Sequence, residues 1–155
     1  MDQKAREVRE VSTILLIDDD PDDYDLVVEA VRDLDPGITV YFLSRCEEAL
    51  KYRQADVDLV LLDINMPHHN GFSWLKGIRE KGYDRLPVVM YTNSLSPADI
   101  AKSYKEGANL YFPKPESFSK LKKAFQKLLQ LDWADPLSIT ASYIQDGKYK
   151  TFQAD

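Results

Sequence analysis

The chain has 155 residues, of which 44% are hydrophobic and 30% are charged, and its net charge at pH 7 is −6. This length suits one domain with its own core, and the negative charge argues against nucleic acid as a main partner. The longest apolar runs, residues 14–17 and 59–62, are too short to span a bilayer. The first ten residues lack the apolar segment of a signal peptide, and a single cysteine fits a reducing compartment. We therefore expect a cytoplasmic globular protein without a membrane segment.

Strand and helix patterns alternate along the chain. Short, mostly apolar segments predict five strands, at residues 13–18, 38–43, 59–62, 87–91 and 109–112. Helical periodicity and cap residues predict five helices, at residues 22–34, 46–54, 72–80, 96–105 and 118–129. Short apolar strands without regular alternation are typical of a parallel sheet that is covered on both faces. The pattern predicts an α/β fold with a doubly wound, five-stranded parallel sheet and five helices.

Chemically distinctive residues follow four of the predicted strands. Asp18 and Asp19 follow the first strand, Asp63 the third, Thr92 the fourth and Lys114 the fifth. In a doubly wound sheet the active site lies at the carboxyl ends of the strands. Three carboxylates there require a hard cation, Mg²⁺ or Mn²⁺, and a carboxylate beside such an ion can attack phosphorus. The lysine and the hydroxyl can share the charge of phosphoryl oxygens, so the set predicts phosphoryl transfer to an aspartate.

These residues stand in motifs that resemble a known family. The motifs are Asp18-Asp19 after ILLI, the run LLDINMPHHNG, the run VVMYT that ends in Thr92, and Lys114-Pro115. Together they resemble the bacterial response-regulator receiver domain, which has a flavodoxin-like fold, over residues 13–131. The DDDPDD and NMP sequences are similar to stand-alone regulators that pair with phytochrome-type histidine kinases. The resemblance divides the chain into a tail (1–12), a receiver domain (13–131) and a C-terminal extension (132–155) without a separate output domain.

The resemblance implies a role for each site residue. Asp63 would be the phosphoacceptor. The implied metal ligands are Asp19, Asp18 directly or through water, Asp63, and the backbone carbonyl of Asn65. Thr92 and Lys114 would bind phosphoryl oxygens, Tyr111 would turn inward when the threonine shifts, and the Lys114–Pro115 peptide bond would be cis.

Two residues depart from the family pattern. Asn70 stands where an aspartate is frequent, and Pro113 precedes Lys114 and stiffens the last loop.

The acids of the run ILLIDDDPDD are divided between a predicted metal site and the start of the next helix. Asp18 and Asp19 are assigned to the metal site. Asp20 is predicted to cap the next helix, which begins with Pro21. The next two acids, residues 22 and 23, fall in the first turn, where the helix dipole favours negative charge. We expect their replacement to cost little stability.

The C-terminal extension is predicted to form a β-hairpin. Its arms would be residues 138–145 and 148–152, joined by the turn Asp146-Gly147. It is too short and too weakly charged for a DNA-binding output domain. A lone hairpin is marginal in water. The sequence leaves open whether it packs on the body, on a second copy in a homodimer, or on a kinase, or is disordered.

The favoured function is a phosphorylation-controlled signalling module. It would receive a phosphoryl group from a sensor histidine kinase and change its binding to a downstream protein through the helix at 96–105, the strand at 109–112 and the last helix. The same residue types suit a Mg²⁺-dependent phosphatase with an aspartate nucleophile. Against it, the chain shows no cap domain and has Asn65 where a second acid is expected. A receiver-like binding module that is not phosphorylated is the third alternative.

Overall fold

The computed structural model of the chain describes residues 10–45, 56–67 and 69–154. The elements, in chain order, are β1 (Thr13–Ile17), α1 (Pro21–Leu34), β2 (Thr39–Leu43), β3 (Leu59–Leu62), β4 (Asn65–Met66), β5 (His69–Asn70), α2 (Gly71–Glu80), β6 (Val88–Thr92), α3 (Pro97–Lys105), β7 (Leu110–Pro113), α4 (Phe118–Leu129), α5 (Pro136–Tyr143), β8 (Ile144–Gln145) and β9 (Lys148–Tyr149). The helix predicted at residues 46–54 lies outside the described residues. Among the helices within the described ranges, none has the length and apolar character needed to cross a bilayer.

The five longer strands form one parallel sheet in the order β2-β1-β3-β6-β7, which confirms the predicted doubly wound fold. The strands β1, β3 and β6 lie in the middle of the sheet and are buried along almost their whole length. The chain runs from β1 outward to β2 and then returns to the other side of β1 to form β3. The direction in which strands are added to the sheet therefore reverses between β1 and β3. Ile17 and Leu62, at the ends of these two strands, are paired. The crevice of a doubly wound fold opens at this position.

Alternate side chains of each central strand enter two separate cores. From β1, Ile14 and Leu16 join the core beneath α1 and α4, whereas Leu15 and Ile17 join the core beneath α2. Because both faces carry helices, neither set of side chains meets water. This is the physical reason why these strands lack the apolar–polar alternation of a half-exposed sheet.

The cap signals in the sequence correctly mark the starts of two helices. Asp20 caps α1, where its carboxylate accepts a hydrogen bond from the Asp22 amide at 2.9 Å and Pro21 is the first helical residue. Ser96 caps α3 in the same way, followed by Pro97. A proline at the first position costs no hydrogen bond, because the amide it lacks has no partner within the helix.

The C-terminal extension differs from the predicted hairpin in its first arm. Residues 138–145 were predicted as a strand, but most of them belong to the helix α5. The cause is a third helix start in which a cap residue precedes a proline: Asp135 caps α5 and Pro136 begins it. The turn itself is as predicted, with Asp146 and Gly147 at φ values of 54° and 75° between the short strands β8 and β9. Positive φ at both residues is characteristic of a tight hairpin turn.

The extension packs on the body of the domain, at the edge strand β7. The amide of Phe152 donates a hydrogen bond to the carbonyl of Tyr111 at 2.7 Å, and the hydroxyl of Thr140 donates to the carbonyl of Asn109 at 3.0 Å. The Phe152 ring is fully buried and meets Phe112 edge-on, with 5.2 Å between ring centroids. The chain thus covers backbone groups of β7 that would otherwise form an open sheet edge.

We expect Phe152→Ala to lower the free energy of unfolding by about 3 kcal/mol or more, because it removes a fully buried aromatic ring from the core. Urea denaturation followed by circular dichroism would measure the change. Leu137→Ala is the matched control, since 74% of this side chain is exposed and we expect a change within about 0.5 kcal/mol. Equal losses in the two variants would show that the extension does not contribute to the core.

Candidate functional site

The carboxyl ends of the parallel strands bring the predicted site residues into one crevice. Asp18 follows β1, Asp63 follows β3, Thr92 ends β6 and Lys114 follows β7. Other residues lining the crevice include Asp19, Asp20, Asp23, Asn65 and Ser94. Residues far apart in the sequence therefore meet because each directly follows a strand of the same sheet.

Three carboxylates in the crevice are close enough to share one cation. One carboxylate oxygen from each of Asp18, Asp19 and Asp63 lies within 4.8 Å of the others. Asp18 and Asp63 are buried and Asp19 is exposed. The backbone is fixed here by the sheet, since the Asp63 amide donates to the carbonyl of Ile17 at 2.9 Å. Three convergent carboxylate oxygens are the donor set that Mg²⁺ and Mn²⁺ prefer, so these residues fit such an ion.

Burial makes the two inner carboxylates weaker acids than usual. It raises the pKa of Asp18 to about 7, against the opposing hydrogen bond and charge of Lys114. It likewise raises the pKa of Asp63, although the charge of Lys114 and a hydrogen bond from Thr92 favour the ionised form. Additional positive charge in the crevice, such as a bound cation, would favour the ionised form of both groups.

Lys114 is the positive charge that the protein itself supplies. Its Nζ lies 2.8 Å from Asp18 Oδ2, 2.7 Å from Asp23 Oδ2 and 3.6 Å from Asp63 Oδ2. Burial alone would lower the pKa of Lys114, but the hydrogen bonds to Asp18 and Asp23 outweigh it and leave the pKa above its ordinary value. The lysine is thus charged and stands beside Asp63 without touching it closely. The ammonium also lies 5.5 Å from the centre of the Tyr91 ring.

Asp23 corrects one sequence-based expectation. We expected it to serve only the start of α1, with a small effect on stability. In the structure its carboxylate is bound to the buried ammonium of Lys114, 91 residues away in the sequence. Loss of one partner of a largely buried charge pair costs more than loss of an exposed first-turn acid.

The loop after Asp63 is held by a close backbone approach at Gly71. The two-residue strands β4 and β5 lie between Asp63 and Gly71, and the Gly71 amide donates to the carbonyl of Ile64 at 2.9 Å. A Cβ on Gly71 would overlap the carbonyl oxygen of Asp63 and would lie 3.1 Å from Ile64 Cα. Asn70, the departure from the family pattern, caps α2 by accepting from the Phe72 amide at 2.8 Å. The start of α2 therefore positions the backbone of Asp63.

We expect Gly71→Ala to cost about 1–3 kcal/mol of stability, because the added methyl group must displace the backbone of Asp63 or of α2. Gly77→Ala in the same helix is the control. Its added Cβ would meet no atom of the described residues within 4 Å, so we expect a gain of about 0.5–1 kcal/mol. Thermal unfolding of both variants measures the difference, and a stabilised Gly71→Ala protein would contradict the close approach.

Thr92 and Tyr111 are joined through Ser94. The Thr92 side chain is buried beside Asp63 and hydrogen-bonds its carboxylate. The Ser94 amide donates to Thr92 Oγ1 at 3.4 Å, and the Tyr111 hydroxyl donates to the Ser94 carbonyl at 2.8 Å. Tyr111 is fully buried. Hydrogen bonds through Ser94 thus link Thr92, which lies beside Asp63, to Tyr111 of β7.

The Lys114–Pro115 peptide bond is trans, so the expectation of a cis bond is wrong for this structure. Trans is the favoured isomer of a bond before proline by about 0.5–1 kcal/mol. With the trans bond, the lysine ammonium already reaches Asp18 at 2.8 Å.

A doubly wound sheet with an acidic crevice, a lysine and a threonine at its carboxyl edge defines the class of protein, and comparison with known proteins identifies the family. The chain matches the response regulator receiver domain over residues 14–126. It therefore belongs to the response regulator receiver domain family. Domains of this family accept phosphoryl groups on aspartate in two-component signalling, in general from sensor histidine kinases, and bind Mg²⁺ or Mn²⁺ at an acidic pocket.

Individual relatives agree with this assignment. The chain is 33% identical over 131 residues to the transcriptional regulatory protein CpxR of Klebsiella pneumoniae, a match that covers 84% of this chain and 55% of that protein. It thus spans about half the length of the curated relatives it matches.

Two solved structures show the same fold. The phosphorylated cyanobacterial phytochrome response regulator RcpA has a TM-score of 0.68 and 28% identity, and the match covers 76% of this chain and 91% of that one. The Mn²⁺-bound form of the response regulator Rcp1 has a TM-score of 0.61 and 23% identity, and the match covers 90% of this chain and 99% of that one. At this identity, Rcp1 shows a shared fold.

Proposed function

We propose that this chain accepts a phosphoryl group from the phosphohistidine of a sensor histidine kinase onto Asp63, in a Mg²⁺-dependent reaction. The observation that carries the proposal is the meeting of three carboxylates within 4.8 Å of one another, with the Lys114 ammonium 3.6 Å from Asp63. Asp63 is the one of the three that also hydrogen-bonds a buried threonine. The proposal is thus supported by the close grouping of the carboxylates, the lysine and the threonine that such a transfer would use.

Each residue has a defined part in the transfer. An oxygen of the Asp63 carboxylate forms the new bond to phosphorus, and the bond from phosphorus to the histidine nitrogen breaks. Asp18, Asp19, Asp63 and the carbonyl of Asn65 would hold Mg²⁺ or Mn²⁺, which, when bound, neutralises charge on the phosphoryl oxygens. Lys114 and the hydroxyl of Thr92 would hydrogen-bond the remaining phosphoryl oxygens. The products are an acyl phosphate on Asp63 and free histidine on the kinase.

We propose that phosphorylation changes a surface that includes the C-terminal extension. Thr92 leads through Ser94 to Tyr111, and the carbonyl of Tyr111 accepts the hydrogen bond from the Phe152 amide. A shift of Thr92 toward a phosphoryl group would therefore act on β7 and on the chain that covers it. The partner surface would be α3, β7, α4 and the extension together, and it would recognise a downstream protein rather than nucleic acid.

Incubation with acetyl phosphate tests the proposed function. Intact-mass spectrometry should show the addition of one phosphoryl group in Mg²⁺ and no addition in EDTA. The Asp63→Asn variant should remain unmodified, since its amide is a poor nucleophile. No adduct on the wild-type protein, or an undiminished adduct on Asp63→Asn, would overturn the proposal. Repeated turnover of small phosphate esters would instead support the phosphatase alternative.

We propose a phytochrome-type histidine kinase as the donor. The support is the 28% identity to the cyanobacterial phytochrome response regulator RcpA over most of both chains. Transfer from such a kinase should be much faster than transfer from an unrelated histidine kinase at equal concentration. Equal rates from both kinases would argue against this pairing.

A further inference from the structure

The buried lysine of the site is held by a carboxylate that the proposed transfer does not use. Lys114 Nζ is 2.7 Å from Asp23 but 3.6 Å from Asp63, the proposed acceptor. The lysine side chain is 8% exposed and that of Asp23 is 19% exposed, so the pair is largely shielded from water. Charge-assisted hydrogen bonds of this length are among the stronger ones in proteins.

The ordinary role of an acid at this helix position is filled by other groups. An acid three residues after the cap commonly reaches back to the amide of the cap residue. Here the Asp20 amide donates instead to Asp18 Oδ1 at 3.0 Å, and the Asp22 amide donates to Asp20 Oδ1 at 2.9 Å. The carboxylate of Asp23 turns to Lys114. Its contact is with the site rather than with its own helix.

We propose that Asp23 is a positioning residue that holds the Lys114 ammonium away from the acceptor carboxylate and competes with a phosphoryl group for it. This inference rests on the proposed function of Asp63. In the phosphorylated protein, Lys114 would move toward a phosphoryl oxygen and away from Asp23, so the two anions would compete for the same ammonium. Asp23 therefore sets how much the lysine stabilises the phosphorylated state.

The direction in which Asp23 affects the phosphorylated state can be predicted. The Lys114 ammonium donates a hydrogen bond to Asp23 and lies 2.8 Å from Asp18, and these two contacts keep its Nζ 3.6 Å from Asp63. Removal of the charge on Asp23 leaves Lys114 free to pair fully with an anion on Asp63. The phosphorylated state should therefore become more favourable, even though the protein loses an ion pair.

Beryllofluoride, which mimics a phosphoryl group on aspartate, is the probe for this competition. Calorimetric titration in saturating Mg²⁺ should show roughly three- to tenfold tighter binding to Asp23→Asn than to the wild type, as expected for about 1 kcal/mol. Asp22→Asn is the matched control, because it removes the same charge from the exposed neighbouring residue, and its affinity should stay near that of the wild type. Asp23→Glu, which keeps the charge, should restore an affinity close to the wild type.

A double-mutant cycle with Lys114→Gln shows whether Asp23 acts through the lysine. In the Lys114→Gln background, Asp23→Asn should leave beryllofluoride affinity unchanged. A persisting effect, or equal effects of Asp22→Asn and Asp23→Asn in the wild-type background, would overturn the proposal in favour of general charge repulsion. In metal-free protein, the ¹⁵N resonance of the Lys114 ammonium should shift in Asp23→Asn and not in Asp22→Asn.

The outcomes separate this inference from the function on which it rests. If the wild-type protein does not bind beryllofluoride in the presence of Mg²⁺, the proposed function fails and the role of Asp23 fails with it. If the wild type binds and Asp23→Asn, confirmed as folded by circular dichroism, binds equally well, only the role of Asp23 is overturned.

Discussion

Replacement of Asp19 with alanine should reduce Mg²⁺-dependent phosphorylation by acetyl phosphate at least about a hundredfold, because a bound divalent cation contributes several kcal/mol to such transfers. Asp19 is the exposed member of the three-carboxylate cluster. Its removal leaves Asp18 and Asp63 already engaged with Lys114, at 2.8 Å and 3.6 Å. Two buried carboxylates that share one lysine form a poor cation site.

Asp22→Ala is the control for this experiment. It also removes one negative charge from the run DDDPDD, but Asp22 lies in the first turn of α1. We expect normal phosphorylation and a loss of about 0.3–1 kcal/mol from the helix dipole. Initial rates measured by intact-mass spectrometry at several Mg²⁺ concentrations would compare the two variants. Equal rates in Asp19→Ala and Asp22→Ala would show that the division of the acids into a metal site and a helix start is incorrect.

The stability of the metal-free protein should fall as the pH rises from about 4 to about 7. Burial raises the pKa of Asp18 from 3.8 to about 7, so the folded protein keeps a proton that the unfolded chain has lost. The free energy of unfolding decreases with pH wherever the folded state binds more protons, and it levels off above the folded pKa. Burial shifts the pKa of Asp63 in the same direction and adds to the effect. The total should amount to a few kcal/mol.

Asp18→Asn isolates this contribution. The amide resembles a protonated carboxyl group, so the variant should be more stable than the wild type at pH 8 in EDTA and should lack most of the pH-dependent fall. Mg²⁺ should stabilise the wild type at pH 8, since binding to the folded state alone shifts the equilibrium, and should have little effect on the variant. Urea unfolding of both proteins at pH 5 and pH 8, with Mg²⁺ and with EDTA, measures the free energies of unfolding that these comparisons need. A variant less stable than the wild type at pH 8 would contradict a raised pKa at Asp18.

The sheet and most of the crevice could be predicted from the sequence because they follow from local patterns. The buried strands are continuous apolar runs, and in a parallel sheet the residues after such runs must gather at one edge. No side-chain contact has to be known for this prediction. It brings together Asp18, Asp63, Thr92 and Lys114, which the structure places in one crevice.

Contacts that depend on the rotation of a helix about its axis could not be predicted from the sequence. Asp22 and Asp23 are both first-turn acids by sequence, and which of them faces the crevice is set by the phase of α1 against the sheet. The helix α5 was missed for a different reason. Its start, Asp135-Pro136, carries the same signal as Ser96-Pro97, but β-branched Ile139 and Thr140 favoured a strand. Capping and packing on β7 prevailed over that propensity.

The contact between Phe152 and Tyr111 is a third feature that could not be predicted from the sequence. Its ring could be recognised as apolar, but only the fold shows that its amide pairs with the carbonyl of Tyr111. The order of the extension therefore depends on tertiary packing that no local pattern encodes.

Mapping the modified residue tests the central claim most directly. After reaction with acetyl phosphate and Mg²⁺, borohydride reduction converts a phosphorylated aspartate to homoserine, which peptide mass spectrometry can locate. We expect homoserine at position 63 and at no other aspartate of the crevice. Homoserine at Asp18, Asp19 or Asp23, or at any position in the Asp63→Asn variant, would contradict it.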